Sequence, residues 1–320
     1  MVVKQLKPII DKLKYSNSIT RVLNEFFIYT FWAEIARILK SVGELENAKE
    51  DVVIEAIRSG RIEYVNGKFY GKFNSKISKA LIDMGAKYNK VTKTFDIAKD
   101  LLPINVIEAI AASAVLAATV RKQLLDFLNS FNIENYMPDL QKVLDVPLDH
   151  ILEDLDEQAY FTLKDAITIE PELSPEMKTN LKKEYTENME LSIKNFTEKQ
   201  IIELRQIIEE NQFKRNSNES LIKQIQDRYG VTESKARFLA RQETSLLTAK
   251  YRKLRYTDVG VYKVKWSTSH DNRVRDSHKK LDGQIFDLRE TPPIIDERTG
   301  QRGWPGEAYG CRCVLIGIIE

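Results

Sequence analysis

A chain of 320 residues has room for two or three domains. With 42% hydrophobic and 30% charged residues it can bury real cores beneath a well-solvated surface, which excludes a disordered chain and a membrane-embedded one. The net charge of +2 conceals a local excess: residues 231–282 hold 13 Lys and Arg against 6 Asp and Glu, while residues 1–230 hold 32 against 35. The two cysteines, Cys311 and Cys313, are one residue apart, a spacing that strains an intramolecular disulfide and excludes a disulfide-stapled secreted domain. Residues 1–6 lack the apolar run of an export signal.

Residues 1–59 read as helices, with apolar residues at helical spacing through Val22, Phe26, Tyr29 and Trp32 and again through Val53, Ala56 and Ile57. Asn66-Gly67 between Arg61–Val65 and Lys68–Phe73 predicts a tight hairpin, because its turn needs positive φ at both central residues. Asn74-Ser75 then caps a helix from Lys76 to Met84, and a second hairpin follows around residues 90–93. The apolar, Ala-rich stretch from Ile104 to about Asn129 predicts a long helix buried in the core, since a spanning helix needs about 20 strongly apolar residues. Residues 130–175, with an acidic run from Asp145 to Glu157 and prolines at 171 and 175, read as a less regular connector.

Ser174-Pro175 marks the start of long polar helices reaching Phe213. Residues 217–259 read as two short helices, the first ending at Tyr229-Gly230 and the second capped by Thr232. Beyond Gly260, Val261–Trp266 alternates with a period of two, a helical segment covers Arg273–Leu281, and a strand covers Gly283–Leu288. A Pro/Gly-rich loop spans Thr291–Gly310 before the apolar run Val314–Ile319. The fold class is therefore α+β and mainly helical. A helical N-terminal domain with two small hairpins covers 1–135, a helical connector 136–215, and a small α+β C-terminal domain 216–320.

The C-terminal region holds an ordered set of motifs: Trp266 leading to His270-Asp271-Asn272-Arg273-Val274-Arg275-Asp276-Ser277-His278, then Leu281-Asp282-Gly283, Trp304-Pro305-Gly306 and Cys311-Arg312-Cys313. With the upstream helix Lys235–Ser245, this set resembles the phage Mu F-like head morphogenesis family over residues 180–320, and residues 50–130 resemble it less specifically. The resemblance implies a structural, non-enzymatic minor capsid protein of a tailed bacteriophage, associated with the portal or the capsid interior. It would assist head assembly, DNA packaging or DNA delivery. The implied partners are the portal protein, the major capsid or scaffolding protein and packaged viral DNA, with no membrane. The implied location is the virion, after assembly in the bacterial host cytoplasm.

Thiolate and imidazole are zinc ligands, and a structural zinc takes four. His278, Cys311 and Cys313 supply three candidates, with His270 or Asp271 for the fourth; the same residues can also pack without metal. Arg273, Arg275 and Arg312 are candidates for structural ion pairs with nearby carboxylates such as Asp271, Asp276 or Asp282. Lys235, Arg237, Arg241, Lys250, Arg252, Lys253 and Arg255 form a basic stretch suited to DNA phosphates or an acidic portal surface. The alternative is a metal-dependent nucleic-acid-processing enzyme using His270, Asp271 and His278. No Walker loop or Gly-x-Ser-x-Gly elbow is present in the sequence.

Overall fold

The computed structural model describes residues 4–43, 52–167, 172–213 and 218–319. Two compact units emerge, each assembled from separate stretches of chain. One comprises residues 27–134 and 195–233, the other residues 1–26, 135–194 and 234–320.

The chain opens with a two-residue strand β1 (Lys4–Gln5), then α1 (Leu13–Phe27), a π-helical turn (Ile28–Trp32), α2 (Ala33–Gly43) and α3 (Val52–Arg58). Strands β2 (Ile62–Val65) and β3 (Lys68–Gly71) form the first hairpin, with Tyr64 opposite Phe69. Asn66 and Gly67 both adopt positive φ, 50° and 82°, as that turn requires. Helix α4 (Ser75–Asp83) is capped by Asn74, whose side chain accepts from the Ile77 N–H at 2.8 Å. Strands β4 (Lys87–Asn89) and β5 (Thr94–Asp96) complete an antiparallel sheet of order β2-β3-β5-β4. Its core contains Val53, Ile57, Ile62, Phe69, Ile77, Leu81 and Phe95.

Helix α5 (Ile104–Ser130) has the predicted extent but is not a buried core helix. It is long and apolar enough to cross a membrane, and 25% of its most apolar window is buried. Ile104 and Val115 are 77% and 68% exposed, whereas Val106, Ala109, Val120, Leu124 and Leu128 point inward. Alanine has the highest helix propensity of any residue, so an Ala-rich run reports a stable helix and not a buried one.

Residues predicted to be less regular contain α6 (Met137–Leu163), a continuous helix with Pro147 inside it. Leu140, Leu144, Leu148, Ile151, Leu155, Ala159 and Leu163 follow one another at helical spacing, and all are buried. That continuous apolar stripe outweighs the hydrogen bond lost at the proline. Helix α7 (Pro175–Phe213) is a single helix of 39 residues, and Tyr185, Met189, Ile193, Leu204 and Ile208 are among its buried side chains.

Helix α8 (Asn218–Asp258) replaces the two predicted short helices. Gly230 lies inside it, and the Thr232 hydroxyl donates back to the Arg228 carbonyl at 3.1 Å instead of capping a new helix. The C-terminal sheet has the order β1-β10-β6-β7, all antiparallel, from β6 (Lys263–Ser267), β7 (Ile285–Asp287) and β10 (Val314–Ile319). Helix α9 (Asp276–Leu281) lies between β6 and β7 in sequence. The Pro/Gly-rich loop carries a small hairpin of its own, β8 (Ile294–Asp296) with β9 (Gln301–Arg302). The N-terminal strand β1 escapes the helical prediction because only its pairing with β10 makes it a strand.

Asp154 of α6 fastens the start of the chain. It accepts from Lys12 at 2.7 Å, from Lys14 at 2.6 Å and from the Tyr15 hydroxyl, while Gln158 exchanges hydrogen bonds with the Ile10 backbone. Desolvation acts to raise the Asp154 pKa, but the hydrogen bonds from Lys12, Lys14 and Tyr15 outweigh it and hold the carboxyl below its ordinary value. Ionised Asp154 thus stabilises the fold above pH about 4, and this contribution fades as pH falls toward the depressed folded-state value. Asp154→Asn should cost about 1–3 kcal/mol at pH 7 in denaturant unfolding, with the gap to wild type closing below pH about 4. Gly230 has no atom within 4 Å of a built Cβ, so Gly230→Ala should stabilise α8 by about 1 kcal/mol, read as a raised unfolding midpoint. A helix break at that position would make the same change neutral or destabilising.

Candidate functional site

The C-terminal sheet and α9 bring three metal-ligating side chains to one point. Trp266 of β6 is fully buried and forms a floor with Ile295, Ala308, Cys311 and Cys313. His278 of α9 stands edge-to-face against Trp266, with ring centroids 5.5 Å apart. Its Nδ1 lies 3.5 Å from Cys311 Sγ and 3.4 Å from Cys313 Sγ. The three candidate donor atoms lie within 4.8 Å of one another, and all three residues are buried. The predicted convergence of His278 with the cysteine pair is therefore present, although Cys311 lies 33 positions beyond His278.

Local sequence explains the geometry. The chain leaves the Pro305-Gly306 turn, with Gly306 at φ 94°, and re-enters the sheet at β10 just after Cys313. Between these points Cys311 Sγ accepts from two backbone N–H groups, Gly306 and Cys313, each at 3.4 Å. Hydrogen bonding from Cys313 and then His278 overcomes burial and brings the Cys311 thiol down to about 4. Proximity to the Cys311 sulfur, and then burial, push the Cys313 thiol up.

The loop before Cys311 is anchored along its length. Ser277 Oγ donates to the Ile295 carbonyl at 2.9 Å, Glu307 accepts from Trp304 N at 2.8 Å, and Gly310 N donates to Gln242 Oε1 at 2.5 Å. Neither Gln242 nor the backbone donors to Cys311 were among the predicted site residues. Gln242 lies 68 positions from its partner, and the backbone donors exist only once the turn has formed.

The other candidates fall outside the cluster. His270, in the left-handed region at φ 54°, has a side chain 67% exposed, and its Nδ1 faces Asp282 at 3.5 Å. Asp271 accepts from Arg312 at 2.6 Å and from Arg273 at 3.0 Å, and the Arg312 hydrogen bond is the main cause holding its carboxyl below the ordinary range. Arg273 and Arg312 thus make the predicted pairs. Among the described residues Arg275 does not pair with a carboxylate; it donates to the Tyr309 carbonyl, because the loop brings that oxygen to it. His270 and Asp271 do not supply a fourth ligand among the described residues, and Asp271, clamped by two guanidiniums, does not join His278 in the arrangement the enzyme alternative requires. A cavity of about 60 Å³ adjoins the cluster, and its lining includes Ser269, Arg273, Arg275 and Arg312.

The basic stretch is not one cationic face. Arg252 and Arg255 are buried, donating to the Ile9 carbonyl at 2.6 Å and to the Glu172 carbonyl at 3.2 Å. Lys250 pairs with Glu184, and Lys253 lies over the Trp304 ring at 5.8 Å. Arg252 and Arg255, three residues apart, share the face that α8 turns to the core, which a count of charges along the sequence does not register. Arg237 and Arg241 are exposed, and Lys235 is half-buried with its ammonium 5.1 Å from the Phe238 ring centroid.

Residues 204–316 match the family described as Phage Mu protein F like protein. A protein of Haemophilus influenzae, described as an uncharacterized protein, is 40% identical over 103 residues, which is 32% of this chain. The match spans about a fifth of that relative, 22% of its length. No solved structure matches the chain.

The two histidines should respond differently to truncation. His278→Ala empties a buried site against Trp266 and should cost about 2–4 kcal/mol in denaturant unfolding, whereas exposed His270→Ala should stay within about 0.5 kcal/mol. Equal costs would contradict the burial of His278 against Trp266.

Proposed function

We propose that this chain, phage Mu F-like over residues 204–316, is a structural minor capsid protein of a tailed bacteriophage. The family match carries the reading, and it covers both the exposed cations of α8 and the His-Cys-Cys cluster. On this reading the protein is a head morphogenesis component without catalytic activity. It is assembled in the bacterial host cytoplasm and retained in the capsid interior, with the portal, the major capsid or scaffolding protein and packaged DNA as partners.

Its outward cations are Lys235, Arg237 and Arg241, and these are the groups offered to phosphate or to an acidic portal surface. Three phosphate contacts release about three counterions, so the logarithm of DNA affinity should fall against the logarithm of salt with a slope of about −2 to −3. A slope near −6, as expected if all seven cations met DNA, would contradict the buried positions of Arg252 and Arg255. No DNA binding at low salt would leave the portal surface as the contact.

The decisive experiment is deletion and complementation in the phage that encodes the chain. Purified particles should contain the protein in few copies, and its loss should lower the yield of infectious, DNA-filled heads. Particles lacking the protein, with normal heads after its deletion, would overturn the proposal.

A further inference from the structure

We infer that His278, Cys311 and Cys313 hold a single zinc ion with three protein ligands, and that its fourth position opens to the small arginine-lined cavity, where water or a small anion completes the tetrahedron. The first support is dimensional. Zinc bonds of about 2.3 Å to sulfur and about 2.0–2.1 Å to nitrogen, set at the tetrahedral angle, place a sulfur and a nitrogen ligand about 3.6 Å apart. The two distances from His278 Nδ1 to the sulfurs are 3.5 and 3.4 Å. The donor atoms already occupy nearly the edges of such a polyhedron.

The second support is the environment of Cys311. Two backbone N–H groups point at its sulfur, from Gly306 and from Cys313. Donors of this kind offset thiolate charge and orient a ligating sulfur. Thiolate and imidazole together select zinc over the hard, oxygen-seeking cations.

The third support concerns the open position. Among the described residues the cluster contains three ligands and no fourth. The adjoining cavity of about 60 Å³ holds a few waters or one small anion, and is too small for a nucleotide. Arg273, Arg275 and Arg312 line it; Asp271 offsets part of the charge of two of them, and three guanidiniums against one carboxylate still favour a negative occupant. Three protein ligands with an exogenous fourth differ from the closed four-ligand arrangement of ordinary structural zinc sites.

The test uses the full chain without an affinity tag, purified under reducing conditions, with zinc measured by elemental analysis and cobalt titrated into the metal-free protein. One zinc per chain is expected. Cobalt should give the intense visible bands of a four-coordinate centre together with a sulfur-to-metal charge-transfer band, both saturating at one equivalent. Azide should shift the visible bands by entering the fourth position. Cys311→Ser and His278→Ala should lose the spectrum while His270→Ala keeps it. Because His278→Ala also removes packing, His278→Cys serves as a second variant, restoring three ligands and giving a cobalt spectrum shifted toward all-sulfur coordination. The inference is overturned if reduced protein takes up no zinc or cobalt, if the cobalt spectrum is six-coordinate, or if Cys311→Ser leaves it unchanged. A four-coordinate spectrum that azide does not alter would overturn the open fourth position.

Discussion

Asp156 is a carboxylate buried to 2% exposure in the C-terminal half of α6, and three other groups converge on it. Its Oδ1 accepts from the Tyr251 hydroxyl of α8 at 2.6 Å and from the Leu173 N–H at 3.0 Å, and its Oδ2 meets Lys178 of α7 at 2.7 Å. Lys178 also reaches Glu172, and Arg255 of α8 donates to the Glu172 carbonyl. A buried, hydrogen-bonded charge of this kind contributes little net stability over an apolar replacement, but breaking it by removing one partner is costly. Its work is to specify one arrangement: α6, α7 and α8 pack so that this carboxylate is satisfied. The preceding turns of α8 carry Gln242 and Ser245, which hold the loop at Gly310 and Cys311, so the register fixed at Asp156 extends to the cluster of His278, Cys311 and Cys313.

The prediction from sequence was strongest where a local rule had a local cause. Asn66-Gly67 needed only its own backbone to make a turn, and Asn74 needed only the next three residues to cap a helix. It was weakest where distant burial decided the outcome. Pro147 and Gly230 are both helix breakers by intrinsic preference, yet each lies inside a long helix: α6 buries an unbroken apolar stripe on both sides of Pro147, and α8 runs through Gly230 between the buried Ile225 and Ala236. The apolar character of α5 misled in the opposite direction, because propensity and burial favour the same alanines for different reasons. The cluster of His278, Cys311 and Cys313 was legible because those residue types rarely gather by accident. The supporting groups, Trp266 beneath the imidazole and the N–H groups on Cys311, carry no mark in sequence.

Charge counting along α8 shows why a basic segment is a poor guide to a basic surface. Full burial disfavours the charged form of Arg252, and the guanidinium is retained inside by its bond to the Ile9 carbonyl. Asp11, also largely buried, is pushed up to about 6 by desolvation, with the Arg252 charge opposing. A buried arginine here replaces the water that backbone carbonyls near the chain start would otherwise need. Of the three cations that remain outward, Arg237 and Arg241 are exposed, lie four residues apart and share one helix face.

The C-terminal sheet places a limit on what a metal ion would do in this protein. Small zinc domains that lack a core are unfolded without their metal. Here Trp266, Val264 and Leu315 are fully buried, β10 pairs with both β1 and β6, and Leu6 of the chain start packs where Gly317 leaves no room for a side chain. The sheet therefore has hydrogen-bonded neighbours and apolar burial independent of the cluster. What the cluster governs is the chain between α9 and β10, which includes the β8–β9 hairpin and the Pro305-Gly306 turn. A ligand set drawn from both ends of that segment fixes its closure and, through Arg273, Arg275 and Arg312, the charge presented beside it. The energetic effect of an ion at this proposed site would thus be confined to one loop and one small cavity, with the helices held by their own buried side chains and by Asp156.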